Sequence, residues 1–286
     1  MRFPFLPLLI PALCLACVTT STHEKGIANL NEQHQKELEK TRAEDAARLA
    51  EMEKARKDLE TKLADTSFPA LTFSALGYES VHHGHGQWNG VAILSRVGVE
   101  DPSNGFGDAH VDPYEGDARV AAATCGGIRV VSVYVPNGRE VGTDFYERKL
   151  HWLASMYDWI DTTYTRDDPL VVAGDFNVAP ADRDVWDPKQ FVGATHVTEP
   201  ERKAVARLEE WGLEDAFRRV YPDVNGLFSY WDYRAGDFHQ HRGMRIDLVL
   251  ATRPMAERIA WAAVDRNARK GTGPSDHAPV IIDLRD

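Results

Sequence analysis

Short groups of polar residues stand at the ends of apolar stretches, where acid–base side chains can converge. Asp175 and Asn177 follow the apolar run 170–173. Alternation along an extended chain places both on one side, and a carboxylate beside a carboxamide can hold and orient one water molecule. An Asx turn that only satisfies loop backbone is an equal alternative for this pair taken alone.

A second pair of residues suggests an acid–base device. Asp247 begins the apolar run 247–250, where an ionised carboxylate is costly unless it is paired. His277 cannot easily pair with Asp276, because adjacent side chains on a strand point to opposite faces. We therefore expect Asp247 to be the partner of His277, fixing its tautomer. The alternatives are a solvated charge on an edge strand and a structural histidine.

Alternating elements would carry these residues. β-rich runs occur at 91–94, 128–134, 170–173, 246–250 and 280–284, and helical patterns occur at 144–163 and 200–211. Several strands are nearly continuous apolar runs, which is typical of sheets covered on both faces. From about residue 60 the sequence predicts one layered α/β or α+β domain.

Composition limits the possible functions. The chain has 286 residues, 43% hydrophobic and 27% charged, which excludes a disordered chain, a collagen and a polytopic membrane protein. Three cysteines are too few for a disulfide framework. The formal net charge is −11, and because residues 1–59 carry 9 basic and 9 acidic side chains, all of it falls on 60–286. This disfavours a generally basic nucleic-acid binder but permits carboxylates gathered around a divalent cation.

The first 59 residues differ from the rest. Residues 1–23 resemble a secretory signal, and Cys17 after Leu15 and Ala16 resembles a lipoprotein cleavage site that could provide a membrane tether. Residues 24–59 are rich in Glu, Lys, Arg and Ala, which predicts a charged spacer helix or a weak coiled coil. The predicted organisation is therefore a signal-like segment, a polar helix and a domain over 60–286.

Together, Gly174-Asp175-Phe176-Asn177, Arg245-Ile246-Asp247-Leu248 and Ser275-Asp276-His277-Ala278-Pro279 resemble the endonuclease/exonuclease/phosphatase superfamily. The stretches 68–78, 88–95, 133–138, 211–217 and 228–234 narrow the resemblance to its exodeoxyribonuclease III branch, the exonuclease III type of apurinic/apyrimidinic endonuclease. The resemblance runs from about residue 59 to the C-terminus. It implies a four-layer α/β sandwich that cleaves phosphoester bonds with Mg²⁺ or Mn²⁺.

The resemblance also implies residue roles. Asp175 would activate the attacking water and Asn177 would orient it, while His277, held by Asp247, would contact the scissile phosphate or act as base. Tyr134 would approach the phosphate through its hydroxyl. The implied metal ligands are Glu60 and Asp276. The implied substrate-binding residues are Trp231, packed against an abasic sugar, together with Arg119 and Asn137. Arg119, Arg139, Arg234, Arg242 and Arg245 lie in or near loops that would flank the site, so we expect a local positive patch for DNA.

The expected activity is a 3′–5′ exonuclease and abasic-site endonuclease of DNA repair, acting on double-stranded DNA as a monomer. No residue matches the family's first strands or the Asn that ends the first of them, so the expected fold lacks those strands and is preceded by a polar helix. Three alternatives stay open: an inactive fusion of a lipoprotein-like N-terminus to a truncated nuclease, a membrane-tethered phosphatase or phosphodiesterase of the superfamily, and a tethered non-catalytic binding protein. The nuclease motifs favour the cytoplasm, whereas the signal-like N-terminus favours the cell envelope.

Overall fold

The protein has a mixed α/β fold. A computed structural model describes Lys36 and residues 67–85, 89–107, 109–114, 116–271 and 273–286. The predictions for Cys17, Glu60 and the segments 1–23 and 24–59 lie outside these ranges, except for Lys36. The strands are β1 (Glu79–Gly84), β2 (Gly90–Ser95), β3 (Glu100–Asn104), β4 (Val120–Cys125), β5 (Ile128–Tyr134), β6 (Leu170–Asp175), β7 (Leu213–Asp215), β8 (Asp247–Thr252), β9 (Ile259–Val264) and β10 (Val280–Leu284). The α-helices are α1 (Ala70–Ala75), α2 (Asp144–Thr163), α3 (Glu199–Trp211), α4 (Ala216–Val220), α5 (Asp237–Gln240) and α6 (Arg253–Ala256).

A six-stranded mixed sheet forms the centre of the described fold, in the order β3-β4-β5-β6-β8-β7. β5 and β6 run parallel, joined by the long helix α2, and the other neighbours are antiparallel. Each apolar run predicted to be a strand lies in or overlaps a strand of the structure. The register of β5, β6 and β8 matters most for function, because the C-terminal ends of β5 and β6 lie beside the N-terminal end of β8.

One face of this sheet is sealed by helices α2 and α3. Val131, Val172 and Leu250 point to this face and are almost completely buried, as are Trp152 and Leu208 from the helices. The buried residues of α2 recur at helical spacing along one side of the helix, so this single helix covers the sheet over many residues. This layer is the main hydrophobic core.

The opposite face carries two separate two-stranded sheets, β1-β2 and β9-β10. Val91 and Ile93 of β2 pack on β4 and β5 together with Val130. Ile282 of β10 packs on a different part of the same face, together with Val171. Val130, Val171 and Val249 alternate with the buried residues of the helix-covered face and are only partly buried. The sheet is thus layered on both faces, as the mixed α/β prediction required. Among the described residues, no helix combines the length and apolarity that a membrane crossing requires.

Gly174 is required by the close approach of β6 to β5. Its φ is +147°, and a Cβ atom built there would lie 1.9 Å from the carbonyl oxygen of Val133. Only glycine avoids this clash with backbone. The residue after it, Asp175, consequently ends the strand immediately beside β5.

Candidate active site

Three polar side chains line up across the ends of adjacent strands. Tyr134 of β5 is paired in register with Asp175 of β6, and Asp175 is paired with Asp247 of β8. Residues directly opposite one another across a ladder present their side chains on the same face. The sheet register therefore brings a phenol and two carboxylates together at one edge.

His277 joins this row from the loop that precedes β10. Its Nδ1 lies 2.8 Å from Oδ2 and 3.0 Å from Oδ1 of Asp247, so Nδ1–H donates to the carboxylate. The backbone of His277 forms a β-bridge with Tyr230, and the two rings lie 5.0 Å apart. The structure thus brings together the His–Asp pair that the sequence predicts, and it adds Tyr230 as a neighbour.

Asn177 holds both oxygens of Asp175. Its backbone N–H donates to Oδ1 at 2.8 Å, and its Nδ2 donates to Oδ2 at 2.9 Å and to the carbonyl of Val135 at 2.9 Å. Asn137 Nδ2 in turn donates to Asn177 Oδ1 at 3.1 Å. The Asx turn and the carboxylate–carboxamide contact are therefore both present, and they fix the Asp175 carboxylate in one orientation.

A buried ion pair contacts the backbone of the Asp175–Asn177 turn. Lys149 of α2 and Glu201 of α3 are both fully buried, with Lys149 Nζ 2.5 Å from Glu201 Oε1. The same Nζ donates to the backbone carbonyl of Asn177 at 2.7 Å, and His196 Nδ1–H donates to that carbonyl at 2.6 Å. Asn177 has a φ of +50°, in the left-handed region that asparagine tolerates better than most non-glycine residues. The contacts from Lys149 and His196 hold its carbonyl in this conformation.

The pKa values follow from burial and from neighbouring charges. Burial raises the pKa of Asp175 to about 7, aided by the negative charge of Asp247 and opposed by His277. For His277, burial favours the neutral ring, but the Asp247 carboxylate outweighs it and the pKa rises to about 10. Burial, with Lys149 nearby, lowers the pKa of His196 to about 4. Near neutral pH the site therefore contains a titrating carboxyl at 175 beside an imidazolium at 277.

The predicted substrate-binding residues Asn137 and Arg119 differ in how far they face solvent. Asn137 is exposed and contacts Asn177, so it lies at the site. Arg119 stacks between the rings of Tyr114 and Tyr134, with its guanidinium carbon 5.0 Å from each centroid. It also pairs with Asp117 at 2.9 Å, and only 11% of its side chain is exposed. Arg119 therefore supports Tyr134 more than it faces solvent.

Two of the sequence expectations are wrong. Trp231 is 0% exposed, packed against Phe228 and Phe238, so in this structure it cannot lie against a sugar. Arg245 does not belong to a surface patch, because it is 1% exposed and pairs with Asp184 at 2.7 Å and with Asp215 at 2.8 Å. Trp231 is buried by aromatic packing and Arg245 by its two carboxylate partners, and these partners come from segments that the local sequence does not reveal.

The predicted metal ligands are only partly described. Asp276 is half-buried beside His277, and its charge helps to raise the pKa of that histidine. Within the described part of the chain, no group of three or more His, Cys, Asp or Glu side chains is arranged to hold a metal ion. Glu60 lies outside that part. The described residues thus do not by themselves provide a complete ligand set.

Sequence reasoning missed Lys149, Glu201, His196 and Tyr230. A signal existed for the first two. Lys149 interrupts the apolar stripe of a predicted helix, and Thr198 with Glu201 has the spacing of a capping box, which the structure contains. No comparable pattern marks His196 or Tyr230.

The fold gathers a carboxyl group, an Asp–His pair and a phenol hydroxyl at one end of a mixed sheet, which is the kind of group set that acid–base enzymes use. A model of the Endonuclease/Exonuclease/phosphatase family matches residues 42–277. Exodeoxyribonuclease III of Haemophilus influenzae is 30% identical over 237 residues, which cover 79% of this chain and 88% of that protein.

Solved structures agree with this match. An AP endonuclease from Archaeoglobus fulgidus superposes with a TM-score of 0.74 at 34% identity, covering 78% of this chain and 86% of the other. A 3′ phosphatase from Neisseria, solved with a product DNA hairpin, has a TM-score of 0.74 at 34% identity and covers 78% and 85% of the two chains. The chain belongs to the endonuclease/exonuclease/phosphatase family and is an exodeoxyribonuclease III-like hydrolase of phosphoric diesters.

Proposed function

We propose that the protein is a divalent-metal-dependent phosphodiesterase of DNA repair, which acts on double-stranded DNA at abasic sites and at 3′ ends. The observation that carries the proposal is the row Tyr134, Asp175, Asp247 across three strands, completed by His277. The family match and the names of the similar proteins support DNA as the substrate.

We assign the general base to Asp175. Its carboxylate is held by two donors from Asn177, and its pKa of about 7 lets it accept a proton near neutral pH. In this mechanism water attacks phosphorus as Asp175 takes its proton, and the phosphorus–oxygen bond to the sugar breaks in line. The departing oxygen takes a proton from solvent.

His277 has a different role in this proposal. With a pKa of about 10, held up by Asp247, it is an imidazolium that donates Nε2–H to the phosphate and stabilises developing charge. Tyr134 donates a second hydrogen bond from its hydroxyl. We assign Asn137 to a polar contact with the substrate and Arg119 to the positioning of Tyr134.

A divalent cation, Mg²⁺ or Mn²⁺, would neutralise phosphate charge. The ligands that we propose are Asp276 and Glu60, the second of which lies outside the described residues. Removal of the cation with a chelator should abolish cleavage and leave the folded core intact, because buried apolar side chains hold the central sheet and its helices together.

The test is cleavage of two labelled duplexes, one with an abasic site and one with a recessed 3′ end. We expect cleavage that needs a divalent cation, and a loss of at least about 100-fold for Asp175→Asn and for His277→Ala. Asp283→Asn is a matched control, since Asp283 is an exposed carboxylate on β10. Full activity in Asp175→Asn, or equal losses in the control, would contradict the assignment.

A 3′ phosphomonoester is a second substrate to include, because one of the similar structures is a 3′ phosphatase. The same base and the same imidazolium would serve water attack on either ester. A duplex that ends in a 3′ phosphate, compared with one that ends in a 3′ hydroxyl, separates phosphate release from nucleotide release.

A further inference from the structure

A groove of about 820 Å³ lies on a part of the surface that the proposed mechanism does not use. Its lining includes Arg183, Trp186, Phe228, Gln240 and His241. The volume lies within the usual range for pockets that bind small ligands. We call it the Trp186 groove.

Trp186 is the main aromatic surface of this groove. Its side chain is 37% exposed, and the guanidinium carbon of Arg242 lies 5.1 Å from its ring centroid. The indole therefore packs against a cation, is partly exposed and belongs to the lining of the groove. An exposed aromatic ring beside arginine is the usual platform on which an unpaired nucleobase stacks.

The polar lining suits a nucleotide. Asn225, Gln240 and His241 provide donors and acceptors of the kind that recognise base edges. Arg183 is partly exposed, with 39% of its side chain accessible, and its Nη1 donates to the carbonyl of Pro222 and lies 3.6 Å from the carboxylate of Asp223. The carboxylate of Asp182 is paired with Arg202 at 2.8 Å, which reduces its repulsion of a phosphate.

The groove is connected to the proposed active site by a short backbone ladder. Val185 bridges Met244, Met244 bridges Tyr230, and Tyr230 bridges His277. Three steps of about 4.8 Å place Val185 roughly 14 Å from His277. That distance corresponds to about four nucleotides of one strand in a duplex.

We propose that the Trp186 groove binds an unpaired nucleotide of the DNA strand that occupies the active site, with its base stacked on Trp186. This inference rests on the proposed function. A base within a paired duplex is stacked between its neighbours and cannot reach an indole, so the groove selects DNA with an unpaired nucleotide near the cleavage site. Arg242, beside the indole, attracts the adjoining phosphate.

The test compares binding of two fluorescent duplexes by anisotropy in the presence of a chelator. One duplex is fully paired, and the other has two unpaired adenosines roughly four nucleotides from its recessed 3′ end. Trp186→Ala should weaken binding of the unpaired duplex by about 5- to 100-fold and change the paired duplex less than about twofold. Trp186→Phe should retain most of the preference. Trp261→Ala, which removes another exposed tryptophan on β9, is the matched control and should bind both duplexes normally.

A second measurement needs no variant. The wild-type protein should bind unpaired adenosines more tightly than unpaired thymidines, because a purine offers a larger stacking face. The inference is overturned if the wild type shows no preference for unpaired purines, or if Trp186→Ala weakens both duplexes equally or neither. If the wild type cleaves the paired duplex but Trp186→Ala shows no selective loss of binding to the unpaired duplex, the groove is rejected and the proposed function stands. A wild-type protein that neither binds nor cleaves DNA rejects the proposed function as well.

Discussion

The buried pair Lys149–Glu201 gives the sharpest prediction about stability. Both side chains are 0% exposed, and Glu201 also accepts from Thr195 Oγ1 at 2.8 Å and from the backbone N–H of His196 at 3.0 Å. Glu201→Gln keeps the size of the side chain and leaves the Lys149 ammonium buried without its countercharge. Glutamine also occurs at this position of a capping box, but both oxygens of Glu201 accept hydrogen bonds here, so the amide nitrogen of glutamine loses acceptor contacts and adds to the cost.

Removing one partner of a buried ion pair costs about 3–5 kcal/mol, because the remaining charge is desolvated. The remaining acceptors of Lys149, the carbonyls of Asn177 and Asn137 and the hydroxyl of Thr195, are dipoles rather than charges, so we expect a cost of about that size. Since a domain of this size changes its Tm by roughly 2–4 °C per kcal/mol, Tm should fall by about 6–20 °C.

Urea unfolding followed by tryptophan fluorescence measures the free energy of unfolding. Glu199→Gln is the matched control, because Glu199 is an exposed partner of Lys203 in the same helix turn and its replacement should leave stability close to that of the wild type. The double variant Lys149→Met with Glu201→Gln should recover at least half of the loss, because no buried charge remains. A cost for Glu201→Gln no larger than that of Glu199→Gln would refute the reasoning, and so would a double variant less stable than either single one.

Three further predictions follow from the same region. Gly174→Ala places a methyl group against the carbonyl of Val133 and should destabilise the fold by about 3 kcal/mol or more, with cleavage reduced in the fraction that folds; a calorimetric Tm within about 2 °C of the wild type would contradict this. His196 has a folded pKa of about 4 against an ordinary value near 6.5, so it contributes stability above pH 6.5 that is lost as the pH falls towards 4; His196→Asn should flatten the fall in urea midpoint between pH 7 and pH 4.5, and an unchanged slope would argue against it. For Asp175, protonation removes the base, so log kcat/KM should fall with unit slope as the pH drops below about 7; a profile flat from pH 8 to pH 5 would exclude this carboxylate as the base.

The sequence alone predicted half of the strands, the two longest helices and part of the site. Nearly continuous apolar runs identified β2, β5, β6, β8 and β10, whereas β1, β3, β4, β7 and β9 were not predicted. The residues at the strand ends, Asp175, Asn177, Asp247 and His277, do converge in the structure. This succeeded because strand alternation and motif spacing are local properties, and because a costly carboxylate at the start of a strand demands a partner.

Tertiary packing decided the rest. Lys149 and Glu201 are 52 residues apart, and only the packing of α2 against α3 places them in contact below Asn177. Trp231 and Tyr230 are neighbours in the chain, yet the former is buried in the core and the latter lies beside His277. Local pattern shows that a side chain is amphipathic, but which end becomes buried depends on the partners that distant segments bring, and those partners are chosen by the packing of the whole domain.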